Sequence, residues 1–246
     1  MVSRETLTTK HFFDLSDVWF AQLFDSLVSP WDALKPKFKE EWIQANMRSN
    51  VYTVPREGSL VLKTTTVLGM GGEATVEAGS YLVGDEIELQ GGVYIEAGAY
   101  VAGPTILGPR TEVRHGAYIR GGVITGNKAV IGHTTEVKSS IFLNGAKAAH
   151  FAYVGDSILG NNVNLGAGTK VSNLKMTNDE VVLRVGNELI KTGMRKMGAI
   201  IGDQVETGCN SVLNPGVLLA KHCMVYPAIG VKKNYYPEKS VVKLGK

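Results

Sequence analysis

The sequence has little cysteine, no long apolar run and no marked excess of charge. Its two cysteines, Cys209 and Cys223, supply neither a disulfide framework nor a metal-binding quartet. No stretch reaches the roughly 18 apolar residues of a membrane span, and the polar residues 1–10 show no signal-peptide pattern. A net charge of +3 without a basic cluster argues against a nucleic-acid surface. We therefore expect a cytoplasmic protein that binds neither membrane nor nucleic acid.

Glycine is abundant instead, with 29 of the 246 residues, and it accompanies a repeat of aliphatic residues. Ten of twelve positions counted in sixes from Val83 to Ala149 are Val, Ile or Leu. The count then slips by two residues, resumes at Leu159, and returns after an interruption at Ile201. A period of six fits neither a helix nor a lone strand. It predicts a mainly β protein, a solenoid whose 18-residue triangular coils stack as parallel strands.

The flanking segments carry different signals. Residues 1–58 contain all three tryptophans, a helix-start signal at Ser29-Pro30, and an amphipathic pattern that predicts a helix from Phe12 to Leu27. We expect this region to be a helical cap over the open end of a solenoid formed by residues 59–246. An excursion at 174–198 contains two β-rich runs around Gly186-Asn187 and predicts a projecting hairpin. Residues 232–246 form a predicted tail after the repeat.

Arg120 and Lys138 are one coil apart, so they should stack on one face of the solenoid. Two like charges at that distance repel unless an anion, such as phosphate, bridges them. The alternative is a solvated pair with Glu136 nearby. His150 lies twelve residues after Lys138 and is either a structural surface residue or a general base. His115 and His133 could also stack, but no third ligand accompanies them, so no metal site is predicted.

Nucleotide and nucleophile motifs are missing: there is no Walker A loop, Rossmann fingerprint or Gly-x-Ser-x-Gly elbow. Three segments have a familiar order and spacing instead: Glu136-Val137-Lys138, residues 147–156 and residues 164–169. With them, residues 107–235 resemble the acetyltransferase half of the bifunctional glucosamine-1-phosphate acetyltransferase/N-acetylglucosamine-1-phosphate uridylyltransferase family. They also resemble the related solenoid domains of sugar-phosphate nucleotidyltransferases. The resemblance implies a left-handed β-helix and a homotrimer with sites between solenoids.

The resemblance also implies a role for each matching residue. His150 would be the general base that deprotonates the attacking amine, and Glu136 would orient it or tune its charge. The coenzyme, acetyl-CoA, would meet the Ala167 backbone as an oxyanion donor and Asn173 near its acetyl end, while Lys196 would reach over from a neighbouring subunit. Four further residues would hold the amino-sugar phosphate: Arg120, Lys138, Tyr153 and Asn164.

Two functions stay open at the level of sequence. The first is a CoA-dependent N-acetyltransferase, an acyltransferase acting on glucosamine-1-phosphate or a close amino-sugar phosphate, towards UDP-N-acetylglucosamine. The alternative is a catalytically degenerate assembly or regulatory subunit that binds sugar phosphate or sugar nucleotide and partners a separate nucleotidyltransferase. Leu174 and Cys209, which depart from the family pattern beside the coenzyme, motivate the alternative.

Overall fold

The computed structural model describes residues 7–243 and confirms a solenoid of parallel β-strands. Its strands form three long sheets, A and B with ten strands each and C with eight, and the chain visits the three sheets in turn. Pairing between successive coils is parallel, while antiparallel hairpins begin sheets A and B. The hexapeptide period thus predicts the fold correctly.

The strands of each sheet are short. Sheet A contains Arg56–Glu57, Leu60–Val61, Tyr81–Val83, Tyr100–Ala102, Tyr118–Ile119, Glu136–Lys138, Tyr153–Gly155, Lys170–Val171, Val212–Leu213 and Gly230–Val231. Sheet B contains Thr65–Gly69, Gly72–Val76, Tyr94–Ile95, Glu112–Val113, Val130–His133, Lys147–His150, Asn164–Leu165, Glu206–Thr207, Met224–Val225 and Val241–Val242. Sheet C contains Ile87–Leu89, Thr105–Leu107, Val123–Thr125, Ile141–Phe142, Ile158–Leu159, Ala199–Ile201, Val217–Leu219 and Tyr235–Tyr236.

The interior of the solenoid is filled by the aliphatic residues of the repeat, but part of the expected register is wrong. Phe142 and Ala148 point inward, whereas the count in sixes placed Leu143 and Ala149 there. At the first coil, Leu82 rather than Val83 is buried inside. The reason is that coil length varies: 18 residues separate Ile119 from its partner Val137 on the next coil, and 17 separate Val137 from Val154.

The two-residue slip is therefore two single-residue steps rather than one distortion after Ala149. Each step shortens the connection from sheet A to sheet C, the first between Val137 and Phe142 and the second between Val154 and Leu159. Both shortened corners contain a non-glycine residue with positive φ, Ser139 at 49° and Asp156 at 47°. The irregular geometry of the coil is thus concentrated at the corner between sheets A and C.

Sheet C is buried on both of its sides. Its inward residues join the solenoid core, and its outward residues form a second core with the N-terminal segment and the excursion. Six of the eight strands have an aliphatic outward residue, and the first and last strands have the buried Glu88 and Tyr235 instead. The six are Ile106, Ile124, Ile141, Ile158, Ile200 and Leu218. Along sheet A, by contrast, exposed tyrosines and charged residues occupy many outward positions. One side of the triangle is therefore covered by the chain itself.

The N-terminal segment lies along the side of the solenoid and closes its end only through its last turn. Trp19 Nε1 donates to the Thr125 carbonyl at 3.0 Å, and the Asp203 amide donates to the Phe12 carbonyl at 2.9 Å. Of residues 7–58, only Val51 and Val54 enter the solenoid core, at its first coil. The expectation of a cap over the open end is thus corrected: the exposed aliphatic side of sheet C attracts most of the segment's apolar residues.

The helices of this segment are short. They are α1 (Thr9–Phe12), α2 (Pro36–Asn46) and three 3₁₀ turns at Ala21–Phe24, Pro30–Leu34 and Val51–Thr53. The helix expected from Phe12 to Leu27 does not form. The Asp14 side chain accepts the amide of Ser16, and Asn161 of the solenoid donates to the Asp14 carbonyl. These bonds occupy backbone groups that a helix would use, which is how tertiary contacts override the amphipathic pattern.

The excursion is a hairpin, as expected, and it packs against the solenoid instead of projecting. Its strands, Val182–Val185 and Glu188–Lys191, pair antiparallel, and Leu183 and Ile190 are buried in the second core. The predicted tail also differs, since Tyr235–Tyr236 and Val241–Val242 pair with the preceding coil and continue sheets C and B. No helix within residues 7–243 has the length and apolarity needed to cross a bilayer.

Candidate functional site

Arg120 and Lys138 stand on adjacent coils of sheet A, as their spacing predicts. Each has its own carboxylate partner: Arg120 Nη1 lies 2.7 Å from Glu136 Oε1, and Lys138 Nζ lies 3.1 Å from Asp156 Oδ2. The Glu136 contact raises the pKa of Arg120, whose guanidinium also lies 5.9 Å from the centre of the Tyr118 ring. The two positive charges are therefore compensated by carboxylates of the same chain. Both side chains remain hydrogen-bond donors on the outer face of sheet A.

A polar cluster surrounds Lys138 at the shortened corner. Asp156, only 6% exposed, also accepts a hydrogen bond from Asn173 Nδ2, and Asn173 Oδ1 accepts from the Tyr153 hydroxyl at 3.3 Å. Burial, reinforced by Glu136 and Asp156, raises the pKa of Tyr153, so the phenol stays a donor well above neutral pH. The structure thus joins Lys138, Tyr153 and Asn173 through a residue that sequence reasoning missed, Asp156. Its position beside Gly155, the partner of Lys138 on the next coil, is the signal that identifies it.

His150 ends the strand Lys147–His150 at the corner between sheets B and A, and it is exposed. Within residues 7–243, its imidazole makes no hydrogen bond, and its ring contact is with Phe151 at 6.4 Å. The preceding coils place His133 and His115 on the same corner, where their rings stack 5.8 Å apart. Both nitrogens of His150 are therefore free to meet a ligand from solvent.

Ala167 follows His150 by one coil, because Lys147 and Ala148 pair with Asn164 and Leu165. Its carbonyl accepts from the Asn210 amide, whereas the Ala167 N–H has no partner in the described part of the chain. Asn164 is exposed on sheet B beside Lys147. An exposed imidazole and an unpaired amide donor thus occupy neighbouring coils at one corner, and groups of these two kinds can accept a proton and donate to an oxyanion.

The predicted contact between Glu136 and His150 is not formed within this chain, since the Glu136 carboxylate is bound to Arg120. The predicted residues fall into two groups, one on sheet A around Lys138 and one at the B–A corner around His150. Lys196 is exposed and bridges to Leu174, next to Asn173 in the sequence. The structure therefore places Lys196 at the base of the hairpin on the side of the sheet A cluster.

Other features of the molecule lie apart from these groups. A cavity of about 750 Å³ lies between the hairpin turn at 184–188 and residues 232–237 of the last coil, away from His150 and Lys138. Among residues 7–243, no group of three or more His, Cys, Asp or Glu side chains is arranged to hold a metal ion. The free thiol of Cys209 is exposed one coil beyond Ala167.

These triangular coils define a hexapeptide-repeat solenoid protein. Within that class, residues 101–241 match the family model of the GMPPB C-terminal domain, and because the match spans more than half of the chain, the protein belongs to this family.

Longer proteins share part of the solenoid. The chain is 41% identical over 90 residues to a bifunctional sugar-1-phosphate nucleotidylyltransferase/acetyltransferase of Sulfurisphaera tokodaii, covering 37% of this chain and 22% of that protein. It is 37% identical over 97 residues to the bifunctional protein GlmU of Methanococcus vannielii, covering 39% of this chain and 23% of that protein. The chain thus matches about a fifth of the length of these curated relatives. The resemblance read from the sequence is confirmed.

Proposed function

We propose that this protein is a CoA-dependent N-acetyltransferase that transfers an acetyl group to glucosamine-1-phosphate or a close amino-sugar phosphate. The observation that carries the proposal is the position of His150 and Ala167 on adjacent coils at one corner, where neither the imidazole nor the Ala167 N–H has a hydrogen-bond partner within residues 7–243. The names of its relatives, which include acetyltransferase, support the same reaction class.

In the proposed reaction, the substrate amine attacks the carbonyl carbon of the acetyl-CoA thioester. His150 accepts the proton that the amine loses, the Ala167 N–H donates to the developing oxyanion, and the carbon–sulfur bond breaks. Coenzyme A leaves as a thiolate, which takes up a proton, and the acetylated amine remains. Asn173 and Lys196 are proposed to contact the coenzyme, and Asn164 with Tyr153 to contact the sugar.

The phosphate of the substrate is proposed to bind Arg120 and Lys138. Both side chains are charged donors on the open face of sheet A, with exposed fractions of 45% and 18%. An incoming phosphate would compete with Glu136 and Asp156 for them, so those carboxylates hold the donors in place until substrate arrives.

We further propose a homotrimer. Sheets A and B remain open while sheet C is covered by the chain itself, so contact between copies can bring the sheet A cluster of one chain near the His150 corner of another. Sedimentation at decreasing protein concentration tests this state, and a monomer at micromolar concentration would contradict it.

The test of the reaction is thiol release from acetyl-CoA in the presence of glucosamine-1-phosphate. We expect release that requires the sugar and falls at least about 100-fold in His150→Ala, because the base is lost. His133→Ala is the matched control, since His133 occupies the same corner one coil earlier, and it should retain activity. Equal turnover by wild type and His150→Ala would contradict the mechanism.

A second candidate, the degenerate assembly or regulatory subunit, is favoured by one observation: Arg120 and Lys138 are already paired with carboxylates. This form would bind a sugar phosphate or sugar nucleotide, partner a separate nucleotidyltransferase and transfer no acetyl group. Calorimetry separates the two candidates. Binding of sugar phosphate without binding of acetyl-CoA would favour the subunit, and binding of both would favour the enzyme.

A further inference from the structure

Helix α2 buries a lysine against the solenoid. Lys39 and Ile43, four residues apart on one face of the helix, are its buried residues, and Lys39 is only 1% exposed. Its side chain passes over Gly122 at the corner between sheets A and C, where an added Cβ would lie 3.5 Å from Lys39 Cε. The end of the lysine stem is therefore packed against this corner.

The ammonium group of Lys39 has no hydrogen-bond partner among the described residues. A buried charge without a partner is costly, and a methionine would fill the same space at no electrostatic cost. The charged groups that act on Lys39 are Asp156 and Lys138 of the solenoid and Glu40 of its own helix. Burial lowers the pKa of Lys39 to about 8, while the charge of Asp156 opposes that shift. At pH 7 the side chain is therefore mostly charged.

The charges of two lysines act on Asp156. Lys138 Nζ contacts Asp156 Oδ2 from the open face of sheet A at 3.1 Å, and Lys39 acts on the same carboxylate from the side of helix α2. With Lys138 alone, the carboxylate would cancel the charge that a phosphate needs. With Lys39 added, the three groups carry a net charge of +1.

We propose that Lys39 is a positioning residue for the phosphate site: its buried charge compensates Asp156 and leaves the charge of Lys138 available to the phosphate of the substrate. Lys39 does not touch the ligand, because its Nζ is enclosed. The inference rests on the proposed function, since it assigns Lys138 to the sugar phosphate. It gives the N-terminal segment a role in ligand binding besides covering sheet C.

The experiment compares Lys39→Met with Lys37→Met by calorimetry. Lys37 is exposed on the same helix, with Glu41 3.9 Å away, so its substitution removes one positive charge without changing the corner. The probe is N-acetylglucosamine-1-phosphate, the expected product, which has no amine to titrate. We expect the dissociation constant of Lys39→Met at pH 7 to rise roughly tenfold, the effect of losing one partly screened charge, and that of Lys37→Met to stay unchanged.

A pH series adds a readout that a purely structural role would not move. In wild type, affinity should fall as the pH rises through about 8, because Lys39 loses its proton there. In Lys39→Met, affinity should be low at pH 7 and flat through pH 8. Urea unfolding should show Lys39→Met to be as stable as wild type or more so, since an apolar side chain replaces a buried charge.

Each contrary outcome overturns a defined part of the account. Unchanged affinity in Lys39→Met, or an equal loss in Lys37→Met, overturns the role of Lys39 and leaves the acetyltransferase proposal intact. If Lys39→Met does not fold, the wild-type pH series decides, and constant affinity from pH 7 to 9 overturns the inference. Absence of any sugar-phosphate binding by wild type overturns the inference and the proposed function together.

Discussion

Asp203 and Asp14 are joined across 189 positions of the chain, because the Asp203 carboxylate accepts the Asp14 backbone N–H at 2.7 Å. The other oxygen of the same carboxylate accepts both the amide and the side chain of Asn161. Asp203 is buried, so these donors depend on it. One side chain of the solenoid thus fastens the N-terminal segment to the side of the coil.

We expect Asp203→Ala to lower the free energy of unfolding by about 3 kcal/mol, since it leaves donors without an acceptor. Urea unfolding measures the change. Asp17→Ala is the control, because the Asp17 side chain is exposed and makes no hydrogen bond or ion pair in the described residues, and it should stay within about 0.5 kcal/mol of wild type. Equal stability of all three proteins would show that the fastening contributes nothing.

Outward residues of sheet C should behave as core residues. Ile124 points out of the solenoid and is buried by the N-terminal segment, so Ile124→Ala should cost about 2–5 kcal/mol through the cavity it leaves. Val212 points outward on sheet A and is 37% exposed, and Val212→Ala should cost less than about 1 kcal/mol. Thermal and urea unfolding compare them. A small effect at Ile124 would mean that the segment does not cover sheet C in solution.

Gly132 controls the position of the strand that carries His150. A Cβ built at Gly132 would lie 1.8 Å from the Ala149 carbonyl oxygen, so Gly132→Ala must displace that strand. We expect a loss of about 3 kcal/mol in stability, together with reduced thiol release. Gly230→Ala is the matched control, because nothing lies within 4 Å of its added Cβ. If both variants were equally stable and active, the strands would not approach as closely as described.

His11 should make stability depend on pH. Burial, and then the charge of Lys221, lowers the pKa of His11 below its usual 6.5, and its Nε2 lies 2.8 Å from the Tyr235 hydroxyl. Since the unfolded chain binds the proton more readily, this contribution is complete above pH 6.5 and is lost as the pH falls below it. Urea unfolding from pH 7.5 to 5 should therefore show a flatter profile in His11→Gln than in wild type. An unchanged slope in His11→Gln would refute the assignment.

The sequence predicts the solenoid well because every coil must bury one residue on each of its three sides. The exact register is harder to predict, because Phe142 and Leu143 are both apolar, and so are Ala148 and Ala149. Only the pairing of successive coils distinguishes the inward residue from its neighbour. A shift of one residue therefore leaves an apolar residue at the counted position. The count in sixes shows the shift only where it fails, before Leu159.

The covered side of the coil does leave a trace in the sequence. In six of its eight strands, sheet C has an aliphatic residue before the inward one, as in Ile106-Leu107 and Ile158-Leu159, whereas sheet A often has tyrosine, glutamate or lysine there. That contrast indicates a buried outer face. It does not say which segment covers it, since the partners of residues 11–19 lie more than one hundred positions away.

The candidate site also has a part that the sequence predicts and a part that only the structure shows. Arg120 and Lys138 meet because their spacing equals one coil. The roles proposed for His150 and Ala167 came from family resemblance, and their free groups became visible only in three dimensions. Lys39 gave no signal, because a lysine among the lysines and glutamates of helix α2 normally faces solvent, and its burial depends on a helix docking against a distant corner.

The covering of sheet C also constrains the order of folding. His11 contacts Tyr235 across 224 positions, and Asp14 contacts Asp203 across 189, so a ribosome must make these late coils before residues 11–14 can complete their contacts. Coils can pair with their predecessors as they emerge, whereas the aliphatic side of sheet C stays open to water meanwhile. The aliphatic outer side of sheet C is therefore exposed during most of the synthesis of the chain. We expect completion of the contacts of the N-terminal segment to be the last and slowest step of folding.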